Sequence, residues 1–249
     1  MSEDSVTPFD LLAGEVLPTK CVAKRILPFS TIDSTNTYAL EHGKEGLVIV
    51  SDQQTAGRGR QGRSWHSAPD VGIWFTVCFD GLVQGLTFAS ALAVQEALLP
   101  RCSTKVKWPN DILLEGKKIC GILVEHRNER TALGIGLNVH QVTEDFPEEL
   151  REKAGSLESI TGGTWDRCEL LRDILIALDQ KVMLIREGRF SDVLGAWATA
   201  CEIVGRRIRT GTIQGVVEEI DSIGALVVQT DSGVERVLSG EIEILSGDE

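Results

Sequence analysis

The sequence lacks the features by which membrane and secreted proteins are recognised. It contains no apolar run approaching the roughly 18–20 residues that a membrane-spanning helix needs. The N-terminal residues include Glu3, Asp4 and Asp10, and they have neither the basic start nor the apolar stretch of a secretory signal. We therefore expect a cytoplasmic protein that makes no use of a membrane.

Paired metal-ligand motifs are also missing. The six cysteines lie far apart and form no C-x-x-C pair, which argues against a zinc site or a disulfide framework and favours a reducing compartment. Cys120 lies in an apolar run and is expected to be a small buried hydrophobe rather than a nucleophile. The four histidines show no metal-binding spacing, and only His66 lies near the candidate site described below.

The sequence has no excess of positive charge. Its net charge is −12 and its pI is about 4.9, whereas nucleic-acid-binding proteins usually present a basic face. The positive charge is instead concentrated at Arg58, Arg60 and Arg63, within a glycine-rich stretch. An isolated basic loop on an acidic protein indicates a local anion site, for a nucleotide or a carboxylate.

Apolar periodicity predicts an α+β fold, with a mixed β-sheet and helices on one face. Residues 1–25 look like a loose lead-in, and residues 147–200 are mostly helical. After Gly205 the sequence alternates and is broken by Gly and Asp-Ser turns, which predicts a small β-barrel. We expect a catalytic domain at 1–203 and a β domain at 204–249. Predicted strands lie at 47–50, 72–79, 105–108, 111–114, 118–125 and 131–139, and predicted helices at 34–42, 87–99, 168–185 and 190–199.

The segment QTAGRGRQGRSW, residues 54–65, has no apolar periodicity. Its glycines allow a close backbone approach to a ligand, and its arginines supply planar donors suited to phosphate and carboxylate. Trp65 offers a face to a flat heterocycle. A solvated basic loop or an RNA-binding patch would have a similar composition, so these alternatives stay open at this point.

Three further segments carry candidate functional residues. Lys107-Trp108-Pro109-Asn110-Asp111 combines a cation, an amide and a carboxylate around a proline, although Asn-Asp after Pro also suits a plain turn. The segments KKICGILVE, residues 117–125, and GIGLNV, residues 134–139, place glycines within strands, where a ligand or another backbone could approach closely. Taken alone, each of these two segments is better explained by ordinary β packing.

Together with Ser34-Thr35-Asn36, these segments in this order resemble the biotin–protein ligase family. The resemblance is dense over residues 30–140, and the pairing of QTAGRGRQGR with KWPND is highly specific. It implies the biotin–lipoate ligase fold, related to class II synthetases, with an SH3-like tail. It also implies the substrates biotin and ATP with Mg²⁺, and a carrier protein, the biotin carboxyl carrier protein of acetyl-CoA carboxylase.

The resemblance also assigns roles to individual residues. Lys107, Arg58, Lys118 and Asp111 are expected at the reacting centre, without a metal site built from dedicated protein ligands. The residues expected to contact biotin are Ser34, Thr35, Asn36, Gln54, Arg58, Gly59, Arg60, Lys107 and Gly121. Those expected to contact the nucleotide are Arg60, Arg63, Trp65, Asn110, Lys118 and Asn138.

Two alternatives compete with this interpretation. A lipoate–protein ligase would share the broad fold but carry different loops. A repressor or RNA-binding module would use the arginines for phosphates, which the net charge disfavours. Only 33 residues precede Ser34 and they show no helix-turn-helix pattern, so we expect no repressor activity and no nucleic-acid partner. The resemblance does not decide between a monomer and a homodimer.

Overall fold

The computed structural model describes residues 7–245, so the predictions that rest on residues 1–6 and 246–249 lie outside the described residues. The helices are α1 Asp10–Ala13, α2 Thr35–His42, α3 Leu86–Leu98, α4 Leu157–Thr161, α5 Arg167–Arg186 and α6 Phe190–Cys201. The strands are β1 Arg25–Ile32, β2 Leu47–Gln54, β3 Gly72–Asp80, β4 Lys105–Lys107, β5 Asp111–Leu114, β6 Lys117–Arg127, β7 Arg130–Asn138, β8 Arg207–Thr210, β9 Ile213–Ile220, β10 Leu226–Thr230, β11 Gly233–Val237 and β12 Glu243–Ile244. Most bounds fall within two residues of the predicted ones; β2 is longer than expected, and β1 lies where no strand was predicted.

Seven strands form one mixed sheet in the order β1-β2-β3-β7-β6-β5-β4. Only β1 and β2 run parallel, and all other neighbours are antiparallel. The central pair β3 and β7 is in register from Gly72 opposite Asn138 to Asp80 opposite Arg130. The predicted mixed sheet is therefore confirmed.

Alternate residues of β3 point to the two faces of this sheet, as the period of a strand requires. Ile73, Phe75 and Val77 belong to the main core with α3, α5 and α6, so the long helices cover one face, as predicted. Thr76 is buried beneath α2, and the Trp74 ring lies 6.3 Å from that of Trp65. The second face therefore carries the short helix α2 and the glycine-arginine segment.

The prediction of a loose lead-in over residues 1–25 is wrong for its described part. Phe9 and Leu12 are fully buried, and Leu17 is nearly so. The segment is held by Asp179 of α5, whose carboxylate accepts hydrogen bonds from the backbone N–H groups of Lys20, Cys21 and Val22 at 2.7–2.9 Å. This anchor lies far away in sequence, and local composition therefore gave no sign of it.

The C-terminal strands form a second, antiparallel sheet in the order β11-β10-β9-β8-β12. This is the predicted SH3-like module, although within residues 7–245 the sheet is open between β11 and β12. It shares one hydrophobic core with the first sheet, because Ile208, Val217 and Leu226 belong to the same core cluster as Ile73. Trp74 and Trp108 are buried, as expected, and the Trp108 indole N–H donates to the Gly224 carbonyl of the second sheet at 3.1 Å.

None of the helices in the described part of the chain combines the length and apolarity needed to cross a membrane.

Candidate active site

A cavity of about 440 Å³ opens beside β6 and β7, between the glycine-arginine segment and the second sheet. This volume lies within the roughly 300–1,000 Å³ of small-molecule sites. The structure brings every predicted site residue to its wall: Ser34, Thr35, Asn36, Gln54, Arg58, Gly59, Arg60, Arg63, Trp65, Lys107, Asn110, Asp111, Lys118, Gly121 and Asn138. His66 lies there too, as expected.

The N-terminus of α2 forms one end of the cavity. Ser34 is the N-cap residue, and its hydroxyl accepts from Thr37 N at 3.4 Å. The Gln54 carbonyl oxygen accepts from both the backbone N–H and the hydroxyl of Thr35, at 2.9 and 3.1 Å. Asn36 is buried, and its carbonyl oxygen accepts from Thr76 Oγ1 at 2.6 Å. Polar side chains at this end are thus held in fixed orientations before any ligand arrives.

Residues 54–69, which we call the arginine loop, fold over the cavity with one 3₁₀ turn at Arg60–Gly62. Each of its three arginines contacts a different element. Arg58 Nη2 donates to Glu125 of β6 at 3.0 Å, and Arg60 Nη1 donates to Asn110 Oδ1 at 2.8 Å. Arg63 pairs with Glu241, which follows β11 in the C-terminal module. The loop is therefore tethered to both sheets.

Arg60 is the most enclosed of these cations. Burial lowers the pKa of its guanidinium, the charge of Asp111 partly offsets this, and Arg63 lowers it further. An arginine remains protonated at neutral pH even after such a shift. The loop thus carries a partly desolvated positive charge to the cavity wall, where an anion would be attracted more strongly than at an open surface.

Trp65 lies on the backbone of two strands rather than free in the cavity. A Cβ atom built at Gly136 would lie 2.5 Å from Trp65 Nε1, and one built at Gly121 would lie 2.7 Å from Trp65 Cζ3. A side chain at either position would clash with the indole, so Trp65 can lie here only because both residues are glycine. Trp65 Nε1 is buried without a hydrogen-bond partner in the described residues, and Lys118 Nζ lies 5.2 Å from the ring centroid.

Strands β4, β5 and β6 supply the charged wall. Lys118 Nζ lies 2.6 Å from Asp111 Oδ1 across the β5–β6 hairpin. Asn110, between β4 and β5, accepts from Arg60 and donates from Nδ2 to the Ile122 carbonyl at 2.7 Å. Lys107 ends β4 at the cavity wall, and within residues 7–245 its ammonium forms no ion pair. Lys107 is therefore free to meet an anionic ligand.

Asn138, which was expected to contact the nucleotide, also bonds to protein groups, whereas Cys120 belongs to the core. Asn138 is buried, donates from Nδ2 to the Gly155 carbonyl at 2.9 Å and accepts from Gln141 at 3.1 Å. Cys120 is fully buried next to Gly121, as expected, and burial raises the pKa of its thiol. A thiol that stays protonated is a poor nucleophile.

Sequence reasoning missed several residues of the site. Glu125 closes the segment KKICGILVE and lies on the same face of β6 as Gly121, which strand alternation could have indicated. Lys153 and Glu152 line the cavity from the segment before α4, and Gly240, Glu241 and Ile242 line it from the C-terminal module. These last residues carry no local signal, since only the packing of the two sheets brings them to the cavity.

The arrangement is suited to joining two anions. Three arginines from one loop and two lysines from the strands on either side of β5 line a single cavity, whereas the protein as a whole is acidic. No cluster of three or more His, Cys, Asp or Glu side chains that could hold a metal ion occurs among residues 7–245. The fixed cations can stabilise negative charge that develops on bound anions.

Comparison with known proteins gives consistent matches. Residues 29–141 match the Biotin/lipoate A/B protein ligase family, and residues 202–245 match the Biotin protein ligase C terminal domain. The chain is 34% identical over 248 residues to the Bifunctional ligase/repressor BirA of Bacillus spizizenii, covering 92% of this chain and 76% of that protein. It is 31% identical over 231 residues to the Biotin–[acetyl-CoA-carboxylase] ligase of Paracoccus denitrificans, covering 84% of this chain and 96% of that protein. The structure resembles a biotin protein ligase from Aquifex aeolicus in complex with biotin and ATP, with a TM-score of 0.78 and 31% identity. The match covers 89% of this chain and 99% of that one.

Proposed function

This chain belongs to the biotin protein ligase family and is a ligase, and from that premise we propose the reaction that its cavity performs. It activates biotin with ATP to give biotinyl-5′-AMP and pyrophosphate, and then transfers the biotinyl group to a lysine of a biotin carboxyl carrier protein. The observation that carries this proposal is the meeting of the arginine loop, Lys107 and Lys118 at one cavity.

In the first step, a carboxylate oxygen of biotin attacks the α-phosphorus of ATP. The bond from that phosphorus to the bridging oxygen breaks, and pyrophosphate leaves. Both reactants are anions, so the rate depends on cations that offset their repulsion and on the alignment of the reacting atoms. Lys107, whose ammonium forms no ion pair within residues 7–245, supplies charge at this centre, and Lys118 supplies more beside Asp111.

In the second step, the neutral amine of the carrier lysine attacks the biotinyl carbonyl of the mixed anhydride. The amine loses a proton, and AMP leaves. The anhydride must be kept from water until the carrier arrives. The arginine loop covers the cavity and is tethered by Arg58, Arg60 and Arg63, so it is the element that shields the intermediate.

The α2 end of the cavity is proposed to hold biotin, with Ser34, Thr35, Asn36 and Gln54 directed by the hydrogen bonds described above. The nucleotide is proposed to lie against Arg63 and Trp65. We assign Gln54 and Asn138 bracing roles in addition to ligand contact, because their amides already bond to protein groups.

Mg²⁺ is proposed to enter with ATP. This ion is held largely by substrate phosphates and by one or two carboxylates, and Asp111 is a carboxylate at the cavity wall. The donor set therefore fits an ion that is shared with the nucleotide. When bound, it would supply additional charge neutralisation at the phosphates.

The partners and the setting of the reaction are also proposals. The name of the Paracoccus denitrificans relative includes acetyl-CoA carboxylase, which supports the carrier domain of that enzyme as the acceptor. We propose a catalytic domain at 1–203 and a C-terminal domain at 204–249, supported by the match to residues 202–245. All six cysteines are unpaired, which supports the cytoplasm as the location.

The deciding experiment is biotin-dependent exchange of labelled pyrophosphate into ATP, measured for the wild type and for Lys107→Ala. We expect exchange that requires biotin, and a loss of about 100-fold in the variant. Lys105→Ala is the matched control, because Lys105 lies on the same strand but pairs with Glu202 at 3.3 Å away from the cavity. A folded wild-type protein that shows no exchange would refute the proposal.

Two measurements test the alternatives. Lipoate in place of biotin should support no exchange, since a lipoate ligase is the nearest competing function. The bifunctional relative from Bacillus spizizenii is named a repressor as well as a ligase. We propose that this chain does not repress transcription, on the basis of its net charge of −12, and a mobility-shift assay with operator DNA at low salt should show no complex.

A further inference from the structure

Glu125 joins two parts of the site without lining the cavity itself. It lies on β6, and its side chain is 30% exposed. Its Oε2 atom accepts from Asn36 Nδ2 at 2.8 Å and from Arg58 Nη2 at 3.0 Å. One carboxylate oxygen therefore connects the N-terminal turn of α2 with the arginine loop.

We propose that Glu125 is a positioning residue for biotin, acting through Arg58 and Asn36. This inference rests on the proposed function, because it assumes that biotin occupies the α2 end of the cavity. Glu125 would set the orientation of two side chains that meet the substrate, and it would make no contact with biotin itself.

The orientation of Asn36 is fixed from both ends of its amide. Its Oδ1 accepts from Thr76 Oγ1 at 2.6 Å, and its Nδ2 donates to Glu125. The other acceptor near Nδ2 is the Leu123 carbonyl, at 3.4 Å, which is a weaker contact. Without Glu125, the Asn36 Nδ2 group would keep, among the described residues, the longer contact to the Leu123 carbonyl alone, and the amide could rotate away from its present orientation.

Glu125 acts on Arg58 mainly by fixing the position of its side chain, and less through the energy of the ion pair. Its side chain is 44% exposed, so the ion pair is weakened by solvent. Arg58 uses Nη2 for Glu125, and in the described residues its Nε and Nη1 atoms have no partner. These remaining donors can meet a carboxylate or a phosphate, since a guanidinium carries five N–H groups.

The same contact tethers Arg58 of the arginine loop to β6. A loop that is already in place loses less conformational freedom on binding. Glu125 also carries a negative charge that would repel the biotin carboxylate if Arg58 were not beside it. Removing the Glu125 carboxylate should weaken biotin binding because Arg58 would no longer be held in place. The same removal should have less effect in a protein that lacks Arg58.

The experiment is a double-mutant cycle on biotin affinity, measured by isothermal titration calorimetry with wild type, Glu125→Ala, Arg58→Ala and the double variant. We expect Glu125→Ala to raise the Kd for biotin about 10-fold, and to raise it less than about 3-fold in the Arg58→Ala background. Glu125→Gln keeps an acceptor for Asn36 and should fall between wild type and Glu125→Ala. Glu243→Gln is the matched control, because Glu243 pairs with Arg209 on the C-terminal module and should leave the Kd unchanged.

Pyrophosphate-exchange kinetics on the same proteins separate positioning from general damage. Glu125→Ala should raise the KM for biotin with a smaller change in kcat, at an unchanged melting temperature. If wild type binds no biotin, the proposed function itself fails. The inference about Glu125 is overturned if wild type binds biotin and neither Glu125 variant changes the Kd for biotin by more than 2-fold. It is also overturned if the effects of Glu125→Ala and Arg58→Ala on the binding free energy are additive.

Discussion

Lys118 and Asp111 face each other across the β5–β6 hairpin, with Nζ and Oδ1 2.6 Å apart at the cavity wall. The pair holds the lysine ammonium in one place, while the carboxylate offsets its charge until phosphates arrive. Preorganised charge of this kind acts on the transition state without reorganisation during the reaction.

We predict that Lys118→Gln lowers the kcat of pyrophosphate exchange about 100-fold. Lys117→Gln is the matched control, since Lys117 is adjacent on β6 and does not line the cavity. Equal losses in both variants would contradict a specific role for Lys118.

Gly136→Ala should displace Trp65, because the added Cβ would lie 2.5 Å from the indole nitrogen. We expect at least a 10-fold weaker affinity for ATP in equilibrium binding, with a smaller effect on biotin. In Gly195→Ala the new methyl group meets no atom within 4 Å, so this variant should bind ATP like the wild type.

The arginine loop should exchange its amide hydrogens more slowly when ligand is bound. We predict slower hydrogen exchange over residues 57–66 after addition of biotin, and slower still with biotinyl-5′-AMP, since these residues cover the cavity. Exchange in α5 provides the internal reference. Identical exchange of the loop in all three states would exclude ligand-linked ordering.

Stability should depend on pH through Asp179. Burial alone raises the pKa of this carboxyl, but the N–H groups of Cys21, Lys20 and Val22 outweigh it, and the pKa lies below its ordinary value. Its contribution is therefore complete above the unfolded-state pKa of about 4 and is lost as the pH falls through the folded-state pKa. Asp179→Asn should lower the free energy of unfolding by about 1–3 kcal/mol at pH 7, and by less at pH 3.

Asp173→Asn is the control for this measurement, because burial and the nearby Glu169 raise the pKa of Asp173 on the same helix. A raised carboxyl pKa means that the charged form is disfavoured in the folded state, so this variant should be no less stable than wild type at pH 7. Urea denaturation at both pH values measures the two effects.

Arg167 should be among the most important residues for stability. It is 9% exposed, and its Nη1 donates to Asp52 Oδ1 at 2.6 Å and to the Gly72 carbonyl at 3.1 Å. Arg167→Met leaves the Asp52 carboxylate buried without its partner, at an expected cost of about 3–5 kcal/mol in chemical denaturation. Arg209→Met breaks an exposed pair and should cost less than about 1 kcal/mol.

The sequence predicted most of the elements, because their signals are local. The helix at Thr35–His42 is bounded by Ser34 and Gly43, as its capping residues indicate. The mainly apolar strand β3 is buried on both faces from Gly72 to Phe79, which accounts for its lack of apolar–polar alternation. The residues of the cavity wall were predicted through the resemblance to the biotin–protein ligase family, since most of them lie in the short motifs that carry it.

What the sequence did not indicate depends on contacts between distant segments. The N-terminal segment is ordered by Asp179 of α5, and Glu241 reaches the arginine loop from the C-terminal module. Glu125 lay within a recognised motif but received no role, because its two partners come from two different segments. Contacts of this kind are set by the packing of sheets and helices, and the apolar periodicity of the sequence does not indicate them.

The presence of Gly240, Glu241 and Ile242 at the same cavity as Ser34 has a consequence for biosynthesis. The chain emerges from the ribosome N-terminal end first, and all seven strands of the first sheet, which end at Asn138, are synthesised long before those residues appear. During that interval the arginine loop lacks its contact with Glu241, and the core residues later covered by Leu226 remain uncovered. The nascent protein should therefore be unable to retain its substrates until the second sheet has emerged and docked.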